Sequence, residues 1–176
     1  MEVKTEESKN PELENRAFQD LAKSIPQVLD ESGPVKEAIS SFIAYGTPST
    51  EKLGSGERSG VIQSFVSAFN KLPQTEEDWN DIYKIATGYW PSQTSSQKEE
   101  QSRGFFETIY LRQPNANITQ DQVAIDVMSY GIRPKNRNLD SEQTAIGYFI
   151  SIFRKIPIIA IDWDIIRAIA YSGAKR

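Results

Sequence analysis

The chain has neither cysteine nor histidine. That excludes zinc sites of the usual kind, cysteine nucleophiles, histidine-based triads and haem held by either residue. It also leaves the redox compartment open, because a cysteine-free chain is at home inside or outside a cell. Long apolar runs are missing too: nothing approaches the roughly 20 residues that span a bilayer. Residues after Met1 are polar, with no basic stretch leading into an apolar one, so no signal peptide is expected within the chain. The same polar start suits a piece cut from a longer precursor. An excess of positive charge is absent as well. The net charge of -4 argues against a dedicated nucleic-acid binder, although Arg133 to Arg137, with Arg154 and Lys155, form a basic stretch.

What is present is periodicity. Apolar residues recur at helical spacing, as in Val35, Ala38, Ile39, Phe42 and Ile43, and no strand alternation persists beyond a few residues. The spacing predicts eight helices. Asn10-Pro11 reads as a cap with proline at the first helical position, and Thr75 with Asp78 as a capping box. Thr119 with Gln122 is expected to open the sixth helix, and Asp140 or Ser141 the seventh. Gly46, Gly88 and Gly131 stand where left-handed helix ends belong.

A second regularity lies above the helices. Tyr45-Gly46 recurs as Tyr130-Gly131, Phe65 and Phe69 as Phe149 and Phe153, and Lys71 and Pro73 as Lys155 and Pro157. Asp78-Trp79 recurs as Asp162-Trp163; the offset is 163 − 79 = 84. The expected fold class is therefore all-α, two homologous four-helix repeats packed into one helical globule. Two copies fall short of the three or more usual for a solenoid. The expected division is a disordered polar lead-in over 1–10, repeat one over 11–91, a linker over 92–97 and repeat two over 98–176.

Where the copies agree, structure suffices as the reason. Trp79 and Trp163 occupy one register and read as core anchors rather than a ligand pair. The mirrored acids Asp78 and Asp162, and Glu57 and Glu142, fall in first helical turns, where negative charge is favoured. A glycan-cleaving pair of carboxylates is the rival reading. Asn115, Asn117, Thr119 and Asp126 are spaced faintly like a calcium loop, but Gln120 stands where its glycine belongs. No metal or cofactor is expected.

Where the copies differ, function is the better place to look. Arg133, Lys135 and Arg137 form a basic loop, read as solvated, with anion binding as the minority reading. An intracellular anion or nucleic-acid contact is the third alternative. Ile158, Ile159 and Ile161, in the run Ile158 to Ile161, replace the polar Gln74-Thr75-Glu76-Glu77. Something should cover them, with contact inside the chain favoured over an oligomer interface. Tyr89 and Trp90, at the join, are the second candidate partner surface.

Tyr130-Gly131, Arg133-Pro134, Arg137-Asn138-Leu139, Asp140-Ser141-Glu142 and the ending Asp162-Trp163-Asp164-Ile165 to Arg167-Ala168-Ile169-Ala170-Tyr171-Ser172-Gly173 carry a family resemblance. They resemble an uncharacterised helical tandem-repeat domain of predicted secreted or cell-surface bacterial proteins. The likeness runs from about Ala38 onward and extends loosely to helical domains of unknown function in surface-layer proteins. It implies an extracellular address and supplies no catalytic residues. The chain departs from that pattern at Ile158-Ile159, where polar or small residues are expected. The sequence thus reads as a non-enzymatic binding or assembly module with a protein partner or its own copies. A cell-wall glycan-acting enzyme is the main alternative.

Overall fold

The computed structural model describes residues 9–176; of the lead-in expected over 1–10, residues 1–8 lie outside the described residues. The described residues form eight α-helices and no strand. They are α1 (Pro11–Ser24), α2 (Gly33–Tyr45), α3 (Ser55–Phe69), α4 (Glu76–Thr87), α5 (Ser96–Tyr110), α6 (Thr119–Tyr130), α7 (Leu139–Phe153) and α8 (Ala160–Tyr171). A short 3-10 turn, Pro26–Asp30, follows α1. Asn10 caps α1 through the N–H groups of Glu12 and Leu13, and Pro26 stands two residues past its end. Thr75 and Asp78 form the reciprocal capping box of α4. Two other starts differ from the expectation. The cap of α7 is Asn138, which accepts from the Ser141 N–H, and α6 starts after Ile118 with no side-chain cap.

Asp121, in the first turn of α6, turns instead to the preceding loop. It belongs to a clamp that closes three of the four helical hairpins. Helices α3, α5 and α7 each end on a non-glycine residue in the left-handed region: Asn70, Leu111 and Arg154. The next residue is a cation, and it reaches an aspartate in the first turn of the following helix. Lys71 Nζ lies 2.6 Å from Asp78, Arg112 grips Asp121 at 2.6 and 2.7 Å, and Lys155 Nζ lies 2.7 Å from Asp162. Each carboxylate also takes N–H groups of the turn: Gln74 and Thr75, Asn115, and Ile158 and Ile159. A buried carboxylate thereby neutralises a cation and satisfies the free donors of a tight turn at once.

At the opposite end of three hairpins a tyrosine ties the second helix to the first. The Tyr45, Tyr130 and Tyr171 hydroxyls accept the backbone N–H of Asn10, Ser95 and Asn138, the cap residues of α1, α5 and α7. Tyr130 and Tyr171 also donate to Glu99 and Glu142, both at 2.6 Å. The hairpin α3–α4 lacks this tie. In its place, Arg58 of α3 donates to the Ile43, Ala44 and Leu53 carbonyls, and so caps α2 from outside.

These hairpins pack around α3, which touches α1, α2, α4, α6 and α8; α6 lies along α8, and α7 rests on α8. One core results, with Phe65, Phe106 and Phe149 fully buried. The halves do not pack alike: α2 meets α4 where Phe42 touches Trp79 and Tyr83, whereas α6 and α8 run side by side. The join is ordered too. Buried Asp81 accepts the N–H groups of Ser92 and Gln93, and the last two residues of the expected linker already belong to α5.

Burial alone would push the Asp78 and Asp162 carboxyls up, but the lysine and turn N–H groups hold both below the usual carboxylate value. At Asp121 the Arg112 fork leads to the same direction. A depressed carboxyl stabilises the fold above its unfolded value of about 4, and the contribution drains as pH falls below it. Urea midpoints should therefore fall from pH 6 to pH 3. Asp162→Asn should cost on the order of 2 kcal/mol at pH 7 and make that fall shallower.

Candidate functional site: a charged cleft beside an isoleucine lip

Helix α6 stops at Gly131, whose φ of 67° opens the loop 131–138 back toward α3 and α4. Arg133 is the hinge of that loop. Its N–H donates to the Ile85 carbonyl at 3.0 Å, which fastens the loop to α4. Its side chain, 2% exposed, donates to Glu57 at 3.2 Å, to Ser64 Oγ at 3.1 Å and to the Gly131 carbonyl at 2.6 Å. Ser64 in turn donates to Asp164 of α8 at 3.0 Å. Arg167 completes the ring, reaching Asp164 at 2.8 Å and Glu57 at 3.3 Å.

The ring is packed tightly. A Cβ on Gly131 would lie 2.3 Å from Ser64 Oγ and 2.7 Å from Asp164 Oδ1, and one on Gly60 would lie 2.7 Å from Arg133 Nη2. Burial pulls the Arg133 guanidinium down to about 10, so it stays charged at neutral pH. Burial pushes Asp164 up, against Arg167 and Arg133; at Glu57 the same two arginines outweigh burial and hold the carboxyl down. In front of the ring lies a cleft of about 400 Å³. Gly56, Glu57, Gly60 and Gln63 of α3 form one side, Arg133 and Arg137 the loop side, and Arg167 and Trp163 the α8 side, with Ile158 at the mouth.

The structure thus sorts the residues singled out from the sequence. The basic loop is solvated from Lys135 to Asn138, as expected, but not at Arg133. Arg133 is buried because three acceptors meet it there, Arg137 grips Glu142 with both contacts at 3.0 Å, and the Lys135 ammonium sits 4.1 Å over the Tyr89 ring. The isoleucines are not covered from within the chain. Ile158 is 73% and Ile159 56% exposed, because the turn's N–H groups face Asp162 and leave the side chains outward; Ile161 alone packs on the core. Trp163 is not a core anchor: it is 39% exposed on the cleft, whereas Trp79 packs on Phe42 and Tyr83. Tyr89 and Trp90 are exposed, with the Trp90 indole N–H on Asp126. Asn115 accepts from the Asn117 N–H, and no cluster of acidic side chains suited to a metal ion occurs among the described residues.

Of the mirrored acids, Asp78 and Asp162 belong to separate clamps, whereas Glu57 and Glu142 lie close enough to repel each other, with Arg137 drawing on both. Glu57 also meets Asp164 through Arg167, and periodicity gave no reason to pair those two. Comparison with family models, with curated proteins and with solved structures returns no match for this chain.

Gly131 and Gly147 offer a matched test of this packing. Gly131→Ala must strain a left-handed position and push on Ser64 and Asp164, so it should cost more than about 2 kcal/mol. Gly147→Ala, in α7 with nothing within 4 Å of the new carbon, should stabilise by about 0.5–1 kcal/mol. Chemical denaturation of both variants checks the pair.

Proposed function

We propose that the chain is a non-enzymatic binding or assembly module at a bacterial cell surface, working through protein contact or self-association. The observation that carries this is the lip formed by Ile156, Ile158 and Ile159. Three large aliphatic side chains in four residues stand mostly in solvent, at 65%, 73% and 56% exposure. Scattered exposed leucines need no reason, but a contiguous patch beside a cleft is the usual mark of a contact surface. Tyr89 and Trp90 supply a second, smaller patch. The cell-surface address rests on the family resemblance of the chain from about Ala38 onward.

We also read the two halves as descended from one four-helix unit. The matched clamps Lys71–Asp78 and Lys155–Asp162, and the matched ties Tyr45–Asn10 and Tyr130–Ser95, support that reading. The unlike packing of α2–α4 and α6–α8 is then divergence, and the lip is one of its products.

Replacing Ile158 and Ile159 by the Gln and Thr that stand at positions 74 and 75 tests the role of the lip. Sedimentation should show weaker self-association, or a pull-down weaker partner capture, at unchanged helix content and stability. Unchanged association would remove the lip from the reading.

A further inference from the structure

We infer that the cleft between α3, α8 and the 131–138 loop is a binding site for a neutral, hydroxyl-rich ligand of saccharide type, with Trp163 as its stacking face. The inference rests on the binding role proposed above and adds a ligand class to it.

Charge decides the first step. Every guanidinium on the cleft already has a carboxylate: Arg133 and Arg167 share Glu57, Arg167 holds Asp164, and Arg137 holds Glu142. An anionic ligand would have to displace one of these. What the pairs leave is a set of fixed, planar hydrogen-bonding edges, donors beside acceptors, without a free charge. Hydroxyl groups fit such edges because each can donate to a carboxylate and accept from a guanidinium.

Two atoms in the ring are unsatisfied. Arg133 Nη2 and Asp164 Oδ2 are buried with no hydrogen-bond partner. Buried polar groups are seldom left so, and each unmet one is costly. One is a donor and the other an acceptor, the pairing that a hydroxyl, or a water held by one, complements once the ring opens slightly to admit it.

The shape of α3 agrees. Gly56, Gly60 and Ser64 fall four residues apart on one face, which leaves that face nearly bare. Gly60 is explained by Arg133 Nη2, but a Cβ on Gly56 would meet nothing within 4 Å. Gly56 is exposed in the first turn of α3 and leaves the floor of the cleft open there. Gly56 and Gln63 also line a second cleft of about 410 Å³ between α1 and α3, so the floor continues past a single ring. At the mouth, Trp163 offers a rigid aromatic face with one polar tip, suited to the apolar side of a sugar.

The test uses the full chain and neutral tetrasaccharides of N-acetylglucosamine, glucose and mannose, followed by tryptophan fluorescence and amide shifts. At least one should bind saturably, with affinity insensitive to salt. Trp163→Ala and Gly56→Leu should each weaken it tenfold or more at unchanged helix content, and Tyr89→Ala should leave it intact. The double Ile156→Gln, Ile159→Thr variant, which spares Ile158 at the cleft mouth, should still bind, so loss of the lip and loss of the cleft are told apart. No response to any tetrasaccharide at millimolar concentration, binding that survives both cleft substitutions, or cleft shifts induced only by peptides would overturn the assignment.

Discussion

A guanidinium taken out of water must be met by acceptors where it lies, and Arg133 is met by parts of the chain far apart in sequence. Glu57 and Ser64 come from α3, the Gly131 carbonyl from its own loop, and Asp164 stands 3.8 Å away on α8. None of these groups is satisfied unless α3, the loop and α8 stand together. The ring therefore works as a checkpoint on assembly more than as a source of net stability, since desolvation consumes much of what buried ion pairs return. It also explains why α3 sits at the centre of the molecule: its polar face meets the ring while Val61, Ile62 and Phe65 enter the core.

Local rules and long-range ones divide the work. Three hairpins are closed at one end by a cation and an aspartate, three at the other by a tyrosine on a helix cap, and Arg58 caps α2 where α3–α4 lacks the tyrosine. These ties span short stretches of chain, which suits them to form early. The ring joins Glu57 to Arg167 across 110 residues, and such a contact pays its loop-closure cost before it is rewarded.

The same division sets what the sequence alone could disclose. Helices announce themselves through 3.6-residue spacing, and so all eight were legible, as were the caps at Asn10 and Thr75. Lys71 and Lys155 were visible as a recurring pair, while their aspartate partners were read only as favourable charges. Arg112 and Asp121 escaped because their separation of nine residues differs from the seven of the other two clamps. The tyrosine ties left a trace that could have been used: the separations are 35, 35 and 33 residues. Asp164 and Arg167 left none, since a buried charge in an amphipathic helix looks like a polar-face residue until its partner is known. The isoleucine run was noticed as an exception, but its exposure depends on which way the Asp162 turn faces, and spacing is silent on that.

Asp81 carries a consequence for how the molecule responds to its surroundings. Its carboxylate holds two successive backbone N–H groups of the only stretch between α4 and α5, and Gln93 adds its side-chain amide to the same carboxylate. A protease needs such a stretch to peel away and lie extended in its groove. Here peeling would strand a carboxylate that is itself wholly buried. Cleavage between the halves is thereby coupled to opening of the surrounding structure, and its rate becomes a gauge of cooperative unfolding rather than of loop motion. In a proteolytic setting, the two halves would persist or be degraded together.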